Sequence, residues 1–228
     1  MVLSVHQPQY LPWLGYFDKI AKSDHFVFLD CVQYKPREFQ NRNRIRTKEG
    51  WIWLSVPVVA GPAGERQNIL DVRVDNQSPW QRKHEGSLVT WYGGAPFFKD
   101  YFPFFKETLA VDWQKLSELN VRIIRGMLDV LSIKTPISFE SDLSINTTST
   151  QRIIDICKEL KADTYLSGTG GKDYLEEALF QENGIRLVYQ EFKHPVYPQR
   201  YEPFVPYMSI VDLLFNCGGE SAAFFSRK

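Results

Sequence analysis

Cysteine is scarce in this sequence, and its spacing excludes the roles that cysteine most often has in small domains. The 228 residues contain three cysteines, Cys31, Cys157 and Cys217, which lie far apart and show no C-x-x-C spacing. An odd number of dispersed cysteines argues against a disulfide framework and against a zinc site. We therefore predict no metal site, and three reduced thiols are typical of a cytoplasmic protein.

An excess of positive charge is also absent. Lys and Arg together number 27, and so do Asp and Glu. Proteins that bind nucleic acid through phosphate contacts usually carry a basic excess, so nucleic acid is not an expected partner. No uncharged apolar stretch approaches the ~20 residues of a membrane-spanning helix, and the first residues lack a basic leader followed by an apolar core. We expect neither membrane insertion nor a signal peptide.

What the sequence does contain is an alternation of strands and helices. Residues 2–5 form a short apolar run that His6-Gln7-Pro8 ends. Residues 14–22 carry apolar side chains at helical spacing, and residues 25–30 form the next apolar strand. A strand, a helix and a strand in such a short segment predict a βαβ unit with parallel strands. The predicted fold class is α/β, with a mostly parallel open sheet flanked by helices.

The middle of the chain is predicted to be mainly helical. Residues 74–131 contain several apolar stripes at helical spacing and form an expected insertion or cap within one α/β domain over residues 1–228. Gly61-Pro62-Ala63-Gly64 predicts a loop ahead of this segment. Later, residues 162–168 and 184–189 are predicted to return to the sheet as strands.

Two polar segments follow the first two predicted strands. His6 ends the first strand and is a candidate general base, since its charge changes near neutral pH. Asp30 ends the second strand and is a candidate partner of His6 or a ligand of a substrate hydroxyl. Because the carboxyl ends of parallel strands form the ligand-binding edge of an open α/β sheet, both are predicted catalytic residues. Neighbouring candidates for substrate binding are Gln7, Tyr10, Trp13, Gln33 and Tyr34. A hydrogen-bonded structural loop and a turn aspartate are the competing interpretations.

The run Gln40-Asn41-Arg42-Asn43-Arg44-Ile45-Arg46 offers guanidinium and amide donors. Arg42, Asn43 and Arg44 are candidate ligands of a carboxylate or phosphate, because guanidinium is a planar fork of donors. Alternating arginines in a strand would point to the same side of it. A solvated basic edge is the other interpretation of this run.

A glycine-bearing loop follows the strand predicted at residues 162–168. Ser167, Gly168, Gly170, Gly171 and Lys172 are candidate ligands, because backbone amides in such a loop can bind phosphate or carboxylate. The segment is neither a Walker A loop nor a G-x-G-x-x-G motif. A simple turn between a strand and a helix accounts for its local sequence equally well.

The last candidate segment lies after residue 195. Tyr197 and Gln199 stand on a proline-rich loop and are candidates for walling a sugar or nucleobase site. Asp212 lies at the start of the apolar helix predicted at residues 209–215, where a carboxylate serves either as a helix cap or as a site residue.

The opening His6-Gln7-Pro8-Gln9-Tyr10-Leu11-Pro12-Trp13, with Gly15 and Lys19-Ile20, closely resembles the opening of WbqC-like proteins. The resemblance continues along the chain through Gln33-Tyr34, Arg42-Asn43, Val56-Pro57, Tyr165-Leu166-Ser167-Gly168, Tyr197-Pro198-Gln199 and Ser209-Ile210-Val211-Asp212-Leu213-Leu214. This family is associated with bacterial surface-polysaccharide (O-antigen) gene clusters. The resemblance therefore implies modification of a nucleotide-linked sugar.

A more distant resemblance concerns nucleotidyltransferases such as pantothenate synthetase, which place an H-x-G-H signature after the first strand. Trp13-Leu14-Gly15-Tyr16 occupies that place, and residues 162–174 are similar to their later strand, glycine, lysine and aspartate segment. Both signature histidines are absent here and only Gly15 matches. The resemblance implies a Rossmann-like, nucleotidyltransferase-type topology, and the missing histidines put the cleavage of nucleoside triphosphates in doubt.

These observations lead to three hypotheses of function. The first is an enzyme that transfers an acyl or aminoacyl group to an amino sugar on a nucleotide carrier, with His6 as the base. The second is a nucleotidyltransferase or adenylate-forming ligase, for which ATP would be the cofactor; under the first hypothesis the cofactor is unknown. The third is a non-catalytic module that binds a nucleotide sugar. A shared site requires His6, Asp30 and the 167–172 loop to converge in one pocket.

Overall fold

The computed structural model describes residues 1–61 and 67–225. Strands in the described residues are β1 (Val2–His6), β2 (His25–Phe28), β3 (Arg42–Thr47), β4 (Gly50–Ser55), β5 (Ile137–Phe139), β6 (Thr164–Ser167) and β7 (Arg186–Tyr189). The α-helices there are α1 (Leu14–Ala21), α2 (Trp80–Tyr92), α3 (Phe98–Leu109), α4 (Leu116–Val130), α5 (Ser149–Glu159), α6 (Glu177–Glu182) and α7 (Ile210–Cys217). Of the loop predicted at Gly61-Pro62-Ala63-Gly64, all but Gly61 lies outside the described residues.

Five strands form a parallel sheet in the order β5-β2-β1-β6-β7. Counted along the chain within this sheet, the order is 3-2-1-4-5, which is that of doubly wound α/β folds. The predicted α/β fold with a mostly parallel sheet is therefore confirmed, whereas the nucleotidyltransferase-type topology stays a prediction. The strand order reverses between β1 and β6, and such a switch point is where ligands bind in these folds.

Helices cover both faces of the sheet, which is why side chains on both faces of the central strands are buried. Leu3 and Val5 pack with Val27 against buried residues of α5 and α6, such as Ile154 and Phe180. The opposite face packs against α1, α4 and α7, with buried residues such as Phe17, Phe26, Phe28, Ile123 and Leu213. Parallel strands buried on both faces lose the alternating pattern that marks half-exposed strands.

The described part of the segment between β2 and β5 holds an antiparallel hairpin and three α-helices. β3 pairs with β4, in the register Arg44↔Trp53. Helices α2, α3 and α4 follow within residues 80–130, and rings of Tyr92, Phe98 and Phe105 all contact Phe215 of α7. The aromatic residues of this segment thus fasten it to the core, and its status as an insertion stays a prediction.

Two further observations concern membrane-spanning helices and the cysteines. Among residues 1–61 and 67–225, no helix is both long enough and apolar enough to cross a membrane. The three cysteines are free thiols, and Cys157 and Cys217 are buried.

Candidate active site

A cavity of about 170 Å³ opens at the switch point of the sheet. It lies beside the carboxyl ends of β1 and β6, and helix α5 contributes Ile153 to its wall. The lining polar groups and glycines are His6, Gln7, Lys19, Ser167, Gly168, Gly170, Gly171 and the two tyrosines Tyr165 and Tyr174. The structure thus brings His6 and the glycine-bearing loop together, and we call this cavity the switch pocket. It is smaller than the ~300–1,000 Å³ typical of ligand pockets, so it has room for only part of a ligand of ordinary size.

His6 lines the pocket, and its hydrogen bonding leaves one ring nitrogen as an acceptor. Its Nδ1 lies 3.2 Å from the carbonyl oxygen of Gln7, which also accepts a hydrogen bond from the Tyr16 hydroxyl at 3.1 Å. Because a carbonyl only accepts, Nδ1 carries the proton and Nε2 holds the lone pair. Burial, together with the charge of Lys19, holds the pKa of His6 well below its usual range. His6 is therefore a neutral imidazole with the form required of a base.

Lys19 is a buried lysine in the switch pocket. It belongs to α1 and is 3% exposed, and its Nζ donates to the carbonyl oxygen of Val5 at 3.0 Å. Within the described part of the chain, no carboxylate lies within 4.0 Å of this Nζ. The neighbouring Asp18 instead accepts hydrogen bonds from Lys22 and Gln190, at 2.9 Å and 2.6 Å. Burial lowers the pKa of Lys19 to about 7.

The glycine-bearing loop follows β6 and forms a 3-10 turn over Thr169–Asp173. A Cβ atom on Gly171 would lie 2.0 Å from Oγ of Ser167 and 2.9 Å from Leu175, so this position requires glycine. A Cβ atom on Gly170 would meet nothing within 4 Å. Lys172 is exposed, and its Nζ lies 5.3 Å from the ring centre of Tyr189.

The loop after β1 is held in place by two buried amides. Asn43 donates to the carbonyl oxygens of Tyr10 and Leu11, at 3.3 Å and 2.8 Å. Asn120 donates to the carbonyl oxygen of Pro8 at 3.1 Å. Asn43 is fully buried beneath this loop, so its contacts are structural. Tyr10 is equally buried, and its hydroxyl lies 2.8 Å from Nδ1 of His84.

The end of the same loop meets the segment before α7. Trp13 forms an isolated antiparallel bridge with Ser209, and the amide of Ile210 donates to the carbonyl oxygen of Pro12 at 2.8 Å. The Trp13 ring lies over Gly15, where a Cβ atom would be only 2.2 Å from it. Trp13 also makes an edge contact with the Phe192 ring, with the centroids 5.3 Å apart. The chain therefore closes the β1 loop with residues from its far end.

Asp30 lies outside the switch pocket. Its carboxylate accepts hydrogen bonds from the backbone amide and the hydroxyl of Ser141, at 3.0 Å and 2.7 Å, and it lines a different cavity with Pro8 and Phe139. The structure therefore does not bring Asp30 to His6.

Asp30, Cys31 and Glu140 together offer potential metal-ligand atoms within 4.8 Å of one another. However, the Asp30 carboxylate already accepts hydrogen bonds from Ser141, and Arg152 forms an ion pair with Glu140 at 3.0 Å. Burial and the adjacent Asp30 raise the pKa of Cys31 to about 11, which disfavours the thiolate that would bind a metal or act as a nucleophile.

Arg42 and Arg44 lie on the hairpin, on the face that carries two tryptophans. The guanidinium of Arg42 lies 4.2 Å from the ring centre of Trp53, and that of Arg44 lies 5.1 Å from the ring centre of Trp51. These contacts are a row of cation–π pairs along the hairpin. Neither arginine lines the switch pocket. Gln33 is exposed and Tyr34 is buried; both also lie outside the residues that line the pocket.

Tyr197, Gln199 and Asp212 form one buried network. The carboxylate of Asp212 accepts hydrogen bonds from the Tyr197 hydroxyl at 2.8 Å and from the Gln199 amide at 2.7 Å. Asp212 is fully buried, and burial raises its pKa. These contacts hold the proline-rich loop against α7, and none of the three residues lines the switch pocket.

Three larger cavities are lined by other described residues. A surface groove of about 610 Å³ runs along α5 and is lined by residues 144–147 and Asp155 among others, and none of the predicted site residues lines it. The other two open at the opposite edge of the sheet. One, of about 470 Å³, is lined by Ser23, Asp24 and residues 131–136. The other, of about 650 Å³, is lined by Val2, Lys22 and Phe192 among others. Both lie toward the amino ends of β1 and β2, whereas doubly wound folds bind ligands at the carboxyl ends. We therefore place the candidate active site at the switch pocket.

Comparison with known proteins identifies the family of this α/β chain. The model of the WbqC-like protein family matches residues 7–224, so the chain belongs to that family, whose name is associated with O-antigen biosynthesis. A relative in Mycobacterium tuberculosis, described as uncharacterized protein Rv1507c, is 33% identical over 222 residues, which are 96% of this chain and 95% of the relative. No solved structure gives a significant match.

Sequence reasoning did not assign a function to Lys19. All eight residues of α1 are buried, so the helix has no solvated face on which its lysine would be expected. The available signal was a charged residue within an apolar helix that follows the first strand.

Proposed function

We propose that this protein is an enzyme of surface-polysaccharide biosynthesis, which transfers an acyl or aminoacyl group to an amino sugar on a nucleotide carrier. The observation that supports it most directly is the neutral His6 imidazole in the switch pocket, beside the glycine-bearing loop. Amide formation requires removal of a proton from the attacking amine, and the Nε2 lone pair of His6 accepts that proton. Family membership supports the pathway.

In this proposal, the reacting end of the substrate lies inside the switch pocket and its other end lies outside. The reacting amine lies against His6, while the switch pocket encloses only a fragment because of its volume of about 170 Å³. The nucleoside part of the substrate extends out of the pocket past Tyr174, which is 65% exposed. Asp30 and the Asp212 network act in this scheme as supports of the fold. We further propose a cytoplasmic protein that does not bind nucleic acid.

The first experiment measures binding and turnover separately. Nucleotide-linked amino sugars are screened against the purified protein by thermal shift, where a hundredfold excess over the dissociation constant adds about 2.7 kcal/mol to the free energy of unfolding. A sugar that binds is then tested for acyl transfer with acyl donors. We expect His6→Ala to retain binding and to lose turnover by at least 100-fold, the range for a general base.

His25→Ala is the matched control, because His25 lies at the amino end of β2, on the opposite edge of the sheet. It should retain both binding and turnover. If His6→Ala retains turnover, then His6 is not the base. If no nucleotide sugar binds, the proposed substrate class is wrong.

An adenylate-forming reaction is the second candidate function. The observation that favours it is Lys19 beside the glycine-bearing loop, since a cation in that place suits a triphosphate as well as a diphosphate. It predicts release of pyrophosphate from ATP in the presence of a carboxylic acid. A non-catalytic binding module remains the third candidate, and it predicts binding without turnover for the unmodified protein.

A further inference from the structure

Lys19 is a buried amine with an incomplete set of hydrogen bonds, which is energetically unfavourable unless a ligand accepts the remaining ones. Its side chain is 97% buried, its amine is directed into the switch pocket, and the carbonyl oxygen of Val5 is its one hydrogen-bond acceptor among residues 1–61 and 67–225. An ammonium group has three donors, so two N–H groups are left for a ligand. Buried charges in proteins are normally paired, and here the described part of the chain supplies no carboxylate within 4.0 Å.

The pocket around Lys19 has the features expected of an oxyanion site. Its lining contains no Asp or Glu, so a bound anion meets no like charge there. A Cβ atom built on Gly168 would lie 3.9 Å from Nζ of Lys19, so the loop backbone passes close to the amine. The open space around Gly170 leaves room for a group with several oxygens beside that backbone.

We propose that Lys19 binds a phosphate group of the substrate, and that the switch pocket is the phosphate subsite of this protein. The inference rests on the proposed function and deepens it, because it places the diphosphate of a nucleotide-linked sugar next to α1 and the glycine-bearing loop. A carboxylate has the same charge-assisted chemistry, but glycine-bearing loops after parallel strands are the usual environment of phosphates.

The charge state of Lys19 gives this subsite a pH dependence. The other titratable groups of the pocket lining are His6 from β1, Tyr165 from β6 and Tyr174 after the glycine-bearing loop. Burial moves the pKa of His6 downward and those of both tyrosines upward, so none of the three titrates near pH 7. Lys19 has a pKa of about 7, and only its protonated form attracts an anion. Affinity should therefore fall as the pH rises from 6 to 8.

Binding of inorganic diphosphate tests the site, and binding of sulfate tests its titration, because sulfate keeps a constant charge over this pH range. By calorimetry we expect diphosphate to bind, and Lys19→Met to weaken it at least tenfold, the loss expected for a charge-assisted hydrogen bond. Sulfate affinity should drop about tenfold between pH 6 and pH 8, as the protonated fraction does. Acetate at equal concentration should bind much more weakly than diphosphate.

A second measurement uses the unmodified protein, so it does not depend on the folding of a variant. Trace acetic anhydride at pH 7.5 should acetylate Lys19, and diphosphate should slow that labelling at least fivefold, as read by mass spectrometry. Lys22 is the internal control, because it directly follows the same helix but is exposed, pairs with Asp18 and lines a different cavity. Its labelling should not change.

Several results would overturn the inference. They are unchanged diphosphate binding in Lys19→Met, equal binding of acetate and diphosphate, or no protection of Lys19 from acetylation. These results differ from a failure of the proposed function. If nucleotide sugars bind Lys19→Met as well as the unmodified protein, the function stands and the phosphate subsite is wrong. If diphosphate binds through Lys19 but no nucleotide sugar binds, the subsite stands and the substrate class is wrong.

Discussion

Individual buried histidines set how this protein responds to acid. His84 is 4% exposed, and its Nδ1 lies at a hydrogen-bond distance of 2.8 Å from the Tyr10 hydroxyl within the core. Burial lowers the pKa of His84 to about 4, whereas an unfolded chain protonates histidine near pH 6.5. Below pH 6.5 the unfolded state therefore binds a proton that the folded state does not. The free energy of unfolding consequently decreases as the pH is lowered from about 6.5 to 4.

We predict that His84→Gln reduces this pH dependence. In the unmodified protein, His84 should cost about 2 kcal/mol of stability between pH 7 and pH 5, because each pKa unit corresponds to about 1.4 kcal/mol. Glutamine carries an amide in place of the titrating imidazole and removes this contribution. Urea unfolding at both pH values measures it, and an equal loss of stability in both proteins would contradict the assignment.

At the scale of elements, the turn between β6 and α6 separates two glycines that look alike in the sequence. Gly171→Ala should destabilise the fold by about 1–3 kcal/mol, because its Cβ would overlap Ser167 and Leu175. Gly170→Ala is the matched control and should change stability by no more than about 0.5 kcal/mol, since its Cβ would enter open space. Chemical denaturation compares the two variants, and equal effects would show that this turn is not packed as described.

The same scale explains which parts of the site could be predicted from the sequence. His6 and the 167–171 segment each follow a buried parallel strand, and carboxyl ends of parallel strands share one edge of the sheet. That rule is sufficient to bring them together. It does not fix where a side chain points after the strand ends. The 3-10 turn over Glu140–Asp142 places Ser141 against Asp30, and nothing in the local sequence around Asp30 encodes that contact.

The surroundings of some candidate residues could not be predicted from the sequence, because they depend on packing against distant segments. Asn43 was a candidate ligand because it stands among arginines, yet the β1 loop covers it completely. Alternation along β3 predicts that Asn43 and Arg42 face opposite sides, but not which side is buried. Lys19 lies on a helix that is buried on all sides, a state that helical periodicity does not reveal.

At the scale of the whole molecule, Arg46 connects the hairpin with the proline-rich loop. It is 1% exposed and donates to the carbonyl oxygens of Gly50, Tyr201 and Pro203, at 2.8, 3.1 and 2.8 Å, and to that of Thr47. Its charge also lowers the pKa of the buried Asp212, against the effect of burial. One side chain thus stabilises segments that are about 155 residues apart in the sequence.

We predict that Arg46→Met destabilises the protein by about 3–5 kcal/mol, because it leaves several buried carbonyl groups without their charged donor, and each such loss costs about 1–3 kcal/mol. Arg42→Met is the matched control from the same face of β3. Arg42 is half-buried over Trp53 and should contribute only about 0.5–1 kcal/mol. The two free energies of unfolding are compared in urea. Similar values for both variants would contradict the connecting role of Arg46.

The bridge between Trp13 and Ser209 also has a consequence for how the protein is made. Synthesis proceeds from the N-terminus, so Trp13, in the loop after β1, leaves the ribosome long before Ser209, which lies 196 residues later. Likewise, the second edge of β1 can pair only after β6 has been synthesised. Contacts of such wide sequence separation slow folding. Until β6 has been synthesised, β1 can therefore pair only with β2, and its other edge stays without a partner strand.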